Sequence, residues 1–63
     1  MPIEDAQLEA EIACAAREIR MRERVYPRWI GDGRMSRTKA DDELATMRAI
    51  HARLTGLRPP GLL

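Results

Sequence analysis

Apolar side chains recur every three or four residues along the first half of the chain. The recurring positions are Leu8, Ile12, Ala15 and Ile19. This spacing places all four side chains on one face of a helix. Residues 3–25 contain no glycine or proline and consist mostly of good helix formers. The pattern therefore predicts a long amphipathic first helix.

Pro27 interrupts this helical pattern, and a proline inside a helix either ends the helix or kinks it. We favour a kink, because the apolar series stays in phase around the proline. The members of the series here are Tyr26, Trp29 and Ile30. Gly31 and Gly33 then supply residues of positive φ that close a helix. The first helix is predicted over about residues 3–30.

A second helix is predicted over about residues 37–55. Ser36 is a favourable N-cap, and the acidic residues 41–43 lie near the start, where negative charge suits the helix dipole. Gly56 is a natural left-handed residue beyond the end, with Leu57 as the hydrophobic contact of the cap. The apolar face repeats the spacing of the first helix, at Ala40, Leu44, Met47, His51 and Leu54.

The short connection between these helices predicts an all-α antiparallel helical hairpin. We expect a single domain over residues 1–57, followed by a mobile, proline-containing tail over residues 58–63. The first helix would be roughly 40 Å long and the second roughly 28 Å. The second helix would therefore leave the start of the first uncovered, with Ile3 and Leu8 exposed. We expect a second copy to cover this region, so that the chain oligomerises into a helical bundle.

The 63-residue length limits how such a chain is stabilised. Chains this short usually need disulfides, a metal or a partner. Cys14 is the single cysteine and His51 the single histidine, which excludes a disulfide framework and the usual four-ligand zinc site. Cys14 has alanine neighbours and is predicted to be a small buried group. The acidic N-terminus, the absence of a long apolar run and the lone thiol predict a cytoplasmic location and no membrane partner.

Positive charge is concentrated in the middle of the chain. The net charge is only +1, yet residues 17–39 carry eight bases and three acids. If the first helix is continuous, four arginines fall within an arc of roughly 80° opposite the apolar face. They are Arg17, Arg20, Arg24 and Arg28. Such a row would bind phosphates or an acidic protein, or it would be only a solvated polar face. The local ion pairs expected in this stretch are Glu18 with Arg22, which lies outside the row, and Glu23 with Arg20. Most arginines of the row would therefore have no partner within their own helix.

Residues 24–29 hold both aromatic side chains of the protein, alternating with arginine beside Pro27. Tyrosine, tryptophan and arginine are enriched at interface hot spots, and they can also sandwich a nucleobase. Alternatively, the two aromatic rings plug the closed end of the hairpin. The candidate partner-binding residues are thus Arg17, Arg20, Arg24, Tyr26, Arg28, Trp29 and Arg34.

No catalytic set is predicted. The single cysteine and the single histidine lie on different predicted helices, without a glycine-rich elbow that would present a nucleophile. His51 is interpreted as a hydrogen-bonded core residue. The sequence therefore predicts that the protein is not an enzyme and uses no metal and no cofactor.

The segment Arg-Val-Tyr-Pro-Arg-Trp of residues 24–29, followed by Gly-Arg-Met-Ser of residues 33–36, resembles small uncharacterised proteins of bacteriophages and prophages. The resemblance covers about residues 17–52. It implies a bacterial host cytoplasm and a protein that acts by binding. It implies no particular activity.

The leading functional hypothesis is a small phage-type interaction protein with a host-modulating or anti-defence role. It would bind itself and a host or phage protein, or an anionic ligand. One alternative is a nucleic-acid-binding accessory protein that places the arginine row on phosphates. Another alternative is a sponge that sequesters a small nucleotide signal at a subunit interface.

Overall fold

The computed structural model describes residues 3–59 of the chain, and these residues form two α-helices. Helix α1 spans Ile3–Gly31 and helix α2 spans Arg37–Thr55. The predicted boundaries are therefore correct to within one residue, and the predicted helical hairpin is confirmed. Neither helix, over the described range, is long and apolar enough to cross a membrane.

Helix α1 continues through Pro27 rather than ending there. The side chains around the proline keep their helical phase, since Tyr26 is buried while Trp29 and Ile30 are half-buried. One backbone hydrogen bond is lost at a proline inside a helix. Burial of the aromatic residues on the inner side of α1 offsets this loss, and the helix continues to Gly31.

The turn after α1 is closed by a left-handed glycine. Gly33 has a φ of 75°. Its N–H donates to the carbonyl of Ile30 at 3.1 Å, and the N–H of Arg34 donates to the carbonyl of Trp29 at 2.9 Å. These two bonds form a Schellman motif. The prediction that Gly31 also adopts a positive φ is wrong, because Gly31 is the last residue of the helix.

Ser36 caps the start of α2, as predicted, by accepting a hydrogen bond from the N–H of Lys39 at 3.0 Å. The predicted compensation of the helix dipole by acidic residues is wrong, because the first turn contains no acidic residue. The acidic residues 41–43 lie one turn further on, where the dipole effect has faded. Glu43 instead pairs with Lys39 at 2.9 Å.

The end of α2 differs from the predicted cap. Gly56 adopts φ −67° and ψ −15°, which is right-handed, and its N–H donates to the carbonyl of Ala52. The N–H of Leu57 then bonds to the carbonyl of Leu54, so the chain continues as a tightening helical turn. Leu57 is 63% exposed, and its predicted role as a covering hydrophobic contact is also wrong.

Only four hydrophobic side chains of the described hairpin are buried. They are Ile12, Ala15 and Tyr26 of α1 and Ala40 of α2. Other members of the predicted apolar faces, such as Ile19, Leu44 and His51, are half-buried. Cys14 is exposed, and its predicted burial is wrong because it lies to one side of the packed seam. Two helices can cover only one stripe of each other, so the core is a single layer.

Two exposed ion pairs connect α1 to the second half of the hairpin. Glu23 pairs with Arg48 at 2.8 Å near the middle of the hairpin, so the predicted pairing of Glu23 with Arg20 does not form. At the open end, Arg58 donates two hydrogen bonds to the carboxylate of Glu9, at 2.7 and 2.8 Å. Arg58, the first residue of the predicted mobile tail, thus contacts α1. Residues 60–63 of that tail lie outside the described residues.

The molecule is a thin rod of 46 × 16 × 15 Å with a radius of gyration of 14.7 Å. A compact domain of this length would have a radius of gyration of about 11 Å. Leu8 is half-buried rather than exposed, so the uncovered start of α1 is shorter than predicted. The exposure predicted for Ile3 concerns a side chain outside those that the structure describes.

Candidate partner-binding surface

Four arginines lie on the outer side of α1, opposite the seam that packs on α2. Arg17, Arg20, Arg24 and Arg28 are all exposed. Steps of three, four and four residues keep them on one side of the helix over roughly 16 Å. We call this surface the arginine face. It is available to a partner because α2 packs on the opposite side of α1.

The carboxylates nearest to the arginine face in sequence are bound elsewhere. Glu18 pairs with Arg22 at 2.7 Å, and Glu23 pairs with Arg48 of α2 at 2.8 Å. In the described part of the chain, no arginine of the arginine face forms an ion pair. Each guanidinium can therefore offer its fork of N–H donors to a carboxylate or phosphate from outside.

Arg22 is not among the predicted partner-binding residues, and it lies half-buried on the inner side of α1. It donates to the Glu18 carboxylate at 2.7 Å and to the Glu18 carbonyl at 3.1 Å. The hydrogen bond to Glu18 raises the pKa of Arg22. The sequence indicates that Arg22 faces α2, because Arg22 lies in helical phase with the apolar residues Ile19 and Tyr26. Its charge is used within the hairpin, unlike those of the arginine face.

The two aromatic side chains are separated from the arginine face. Tyr26 is 7% exposed and lies on the seam between the helices, which makes it unavailable to a partner. Trp29 is half-buried, and its ring centroid lies 5.7 Å from that of Tyr26, with the planes tilted by 39°. This geometry is typical of packed aromatic pairs. Tyr26 therefore matches the alternative in which the aromatic rings plug the hairpin, and Trp29 retains a partly accessible edge.

Arg34 lies in the turn, apart from the arginine face. Its side chain is exposed, and its N–H is bonded to the carbonyl of Trp29 in the Schellman motif. The structure thus divides the predicted site in two. The arginine face runs along α1, while Trp29 and Arg34 adjoin each other at the closed end of the hairpin.

The remaining reactive side chains are not gathered into a site. Cys14 is exposed on α1, and His51 is half-buried on α2. Within residues 3–59, no group of three histidine, cysteine, aspartate or glutamate side chains could hold a metal ion. The arginine face is therefore the most distinctive chemical feature of the described surface.

No protein-family model matches the chain, and neither the curated proteins nor the solved structures include a significant match.

Proposed function

We propose that this protein acts by binding an acidic protein partner through the arginine face. The observation that carries the proposal is the set of four exposed guanidiniums without an ion-pair partner among the described residues. Carboxylates on a partner would accept bidentate hydrogen bonds from them. Because the four guanidiniums stand on one continuous helix, the backbone needs no ordering when a partner binds, and the entropic cost is confined to the arginine side chains.

A protein partner is favoured over a nucleic acid for two reasons. The net charge of the chain is only +1, whereas nucleic-acid-binding domains are usually strongly basic. The aromatic rings that would stack on bases are not on the arginine face, since Tyr26 is buried and Trp29 lies toward the seam. Binding of DNA, RNA or a small nucleotide would be a competing result of a capture experiment.

The biological setting of the proposal is a bacterial host cytoplasm. The resemblance of residues 24–36 to small phage and prophage proteins supports a host-modulating or anti-defence role. A small phage protein without a catalytic set would act by occupying a surface of a host complex. The partner would then present an acidic patch at least as long as the arginine face.

The proposed binding unit is an oligomer. The described hairpin buries only four hydrophobic side chains, and chains of this size rarely reach useful stability alone. Association of copies would add apolar burial. It would also display more than one arginine face, which raises avidity for a repeated or extended partner.

The proposal is tested by capture from a bacterial host lysate on the immobilised protein, with and without nuclease, followed by mass spectrometry. We expect an acidic protein to be retained by the wild type in both conditions and lost from Arg17→Gln/Arg20→Gln/Arg24→Gln. Retention by this triple variant would overturn the proposal. Capture that disappears with nuclease, or recovery of a bound nucleotide instead of a protein, would also overturn it.

A matched control separates the arginine face from total charge. The triple variant Arg37→Gln/Lys39→Gln/Arg53→Gln also removes three positive charges, but from exposed positions outside the arginine face. We expect it to capture the partner as the wild type does. Equal loss in both triple variants would show attraction by net charge alone and would contradict a specific surface.

A further inference from the structure

The arginine face continues a line of exposed residues that begins near the start of α1. The first half of this line consists of Ala6, Ala10 and Ala13, which are all exposed. Steps of four and three residues keep the alanines in helical phase with Arg17, the first residue of the arginine face. We call the three alanines and the arginine face together the outer line. It extends from residue 6 to residue 28, which is roughly 33 Å along the helix, and it contains no carboxylate.

The two halves of the outer line limit the form of a partner that lies along it. The arginine half needs negative charge from outside, whereas the alanine half offers only methyl groups, which let another backbone approach closely. An extended segment on the alanines would leave its own amide groups without hydrogen bonds, because the backbone of α1 is already bonded within the helix. A helix satisfies its own backbone. A helix therefore fits both halves of the outer line, and an extended segment does not.

We infer that the acidic partner presents an α-helix, which lies along the outer line and places a row of carboxylates against the arginine face. The inference rests on the proposed function, because it names the form of the acidic partner. The arginines are three, four and four residues apart, so carboxylates at the same steps on a partner helix would face them. Each such pair would form charge-assisted hydrogen bonds. Uncharged side chains of the same helix would lie on the alanines.

A second copy of the chain does not supply such a row of carboxylates. Four of the described carboxylates already form ion pairs within the hairpin. The other described ones do not recur at steps of three or four residues, and they are Asp5, Glu11, Asp32, Asp41 and Asp42. Neighbours such as the last two point in different directions on a helix. The charge of the arginine face is therefore complementary to a helix of another protein.

Fluorescence anisotropy with three labelled synthetic peptides tests the form of the partner. The striped peptide, of about 24 residues to cover the outer line, carries four glutamates at steps of three, four and four among alanine and glutamine. The rearranged peptide has the same composition and a matched helicity by circular dichroism, but its glutamates are spread around the helix. The proline peptide keeps the row and replaces two central residues by proline, which breaks the helix.

We expect the striped peptide to bind the wild type at least tenfold more tightly than either of the other two, because it alone holds four carboxylates opposite the four arginines. Equal affinity for the three peptides would overturn the inference. Tighter binding of the proline peptide, or binding of none of the three, would also overturn it.

Two neighbouring substitutions test the alanine half without changing the charge. Ala13→Gln places a larger neutral side chain on the outer line and should weaken the striped peptide at least threefold, because the partner helix can no longer approach closely. Cys14→Gln adds a similar side chain at the next exposed position, which points to a different side of α1, and should bind as the wild type does. Equal affinity of the two variants would contradict a helix that lies along the outer line.

The variant Arg17→Gln/Arg20→Gln/Arg24→Gln separates this inference from the proposed function. We expect it to lose the striped peptide. If the wild type bound all three peptides equally and this variant bound none, the arginine face would accept acidic segments of any form, so the inference would fail while the proposed function stood. If the variant retained the striped peptide, both would fail.

Discussion

Tyr26 is the largest of the four buried hydrophobic side chains in the described hairpin, so its truncation removes more buried apolar surface than truncation of any of the other three. We predict that Tyr26→Ala loses about 3 kcal/mol or more, as truncation of buried aromatics does. Because a chain of this size has only ~5 kcal/mol in total, the variant should keep about 2 kcal/mol or less and unfold at a much lower urea concentration than the wild type. Helical circular dichroism during urea titration measures the loss.

The matched variant Tyr26→Phe separates ring packing from the phenol hydroxyl. It keeps the ring against Trp29, which lies 5.7 Å away, and should stay within about 1 kcal/mol of the wild type. If Tyr26→Ala unfolded at the same urea concentration as the wild type, the seam described for α1 and α2 would be incorrect.

At the scale of elements, two glycines two residues apart are predicted to respond in opposite directions. Gly31 is helical, and an added methyl group would meet no atom within 4 Å, so Gly31→Ala should stabilise by roughly 0.5–1 kcal/mol. Gly33 has a φ of 75°, so Gly33→Ala should destabilise by about 1 kcal/mol or more. Thermal unfolding of both variants compares them directly. Equal shifts for the two would contradict the Schellman turn.

The ion pair between Glu9 and Arg58 connects the end of α2 to α1, and its strength depends on pH. Hydrogen bonds from Arg58 lower the pKa of Glu9. Ionised Glu9 therefore stabilises the fold above its unfolded pKa, and this stabilisation is lost as the pH falls through the lower, folded pKa. The effect on stability should be small, because the pair is exposed.

Nuclear magnetic resonance titration of the Glu9 carboxyl carbon tests this connection. In Arg58→Gln, the midpoint should rise toward the unfolded value, because the donor of both hydrogen bonds is gone. An identical midpoint in the wild type and in Arg58→Gln would mean that residue 58 is not held against α1 in solution.

The elements were predictable because local signals agreed with one another. Helical spacing of apolar residues, the N-cap at Ser36 and the glycine-rich turn all specify the same hairpin, and the structure has it. The partner of Glu23 was not predictable, since an ion pair with Arg48 depends on the register between helices. Burial of Cys14 was predicted from its alanine neighbours. Cys14 is exposed, because it lies on a side of α1 that α2 does not cover.

The site was predictable only in part. Exposure of the arginine face followed from helical phase, because any residue opposite the seam of a two-helix molecule must face outward. The grouping of the aromatic residues with these arginines was a prediction from sequence proximity. The structure places Tyr26 in the seam instead, since residues two apart on a helix point in different directions.

In the molecule as a whole, the crowding of like charges along the arginine face is unfavourable for the hairpin, although Arg28 lies in the last turn of α1, where a positive charge suits the helix dipole. Arg20 lies four residues from Arg24, Arg24 lies four residues from Arg28, and Arg17 lies three residues from Arg20. Each such like-charge pair destabilises a helix by roughly 0.2–0.5 kcal/mol. None of the carboxylates whose side chains the structure describes forms an ion pair with them. A surface that weakens the fold, yet stays exposed, is consistent with use by an external partner.

The central claim, that the arginine face serves binding rather than folding, is tested most directly by equilibrium urea unfolding of Arg17→Gln/Arg20→Gln/Arg24→Gln beside the wild type. Both should be measured at one protein concentration, because association shifts apparent stability. Arginine and glutamine have similar helix propensities, so propensity should not affect the comparison. We predict that the variant is as stable as the wild type or more stable, by roughly 1 kcal/mol or less, with any gain shrinking as salt is added. A loss of more than about 0.5 kcal/mol, which exceeds the usual effect of exposed charges, would show that these arginines hold the hairpin together and would contradict the claim.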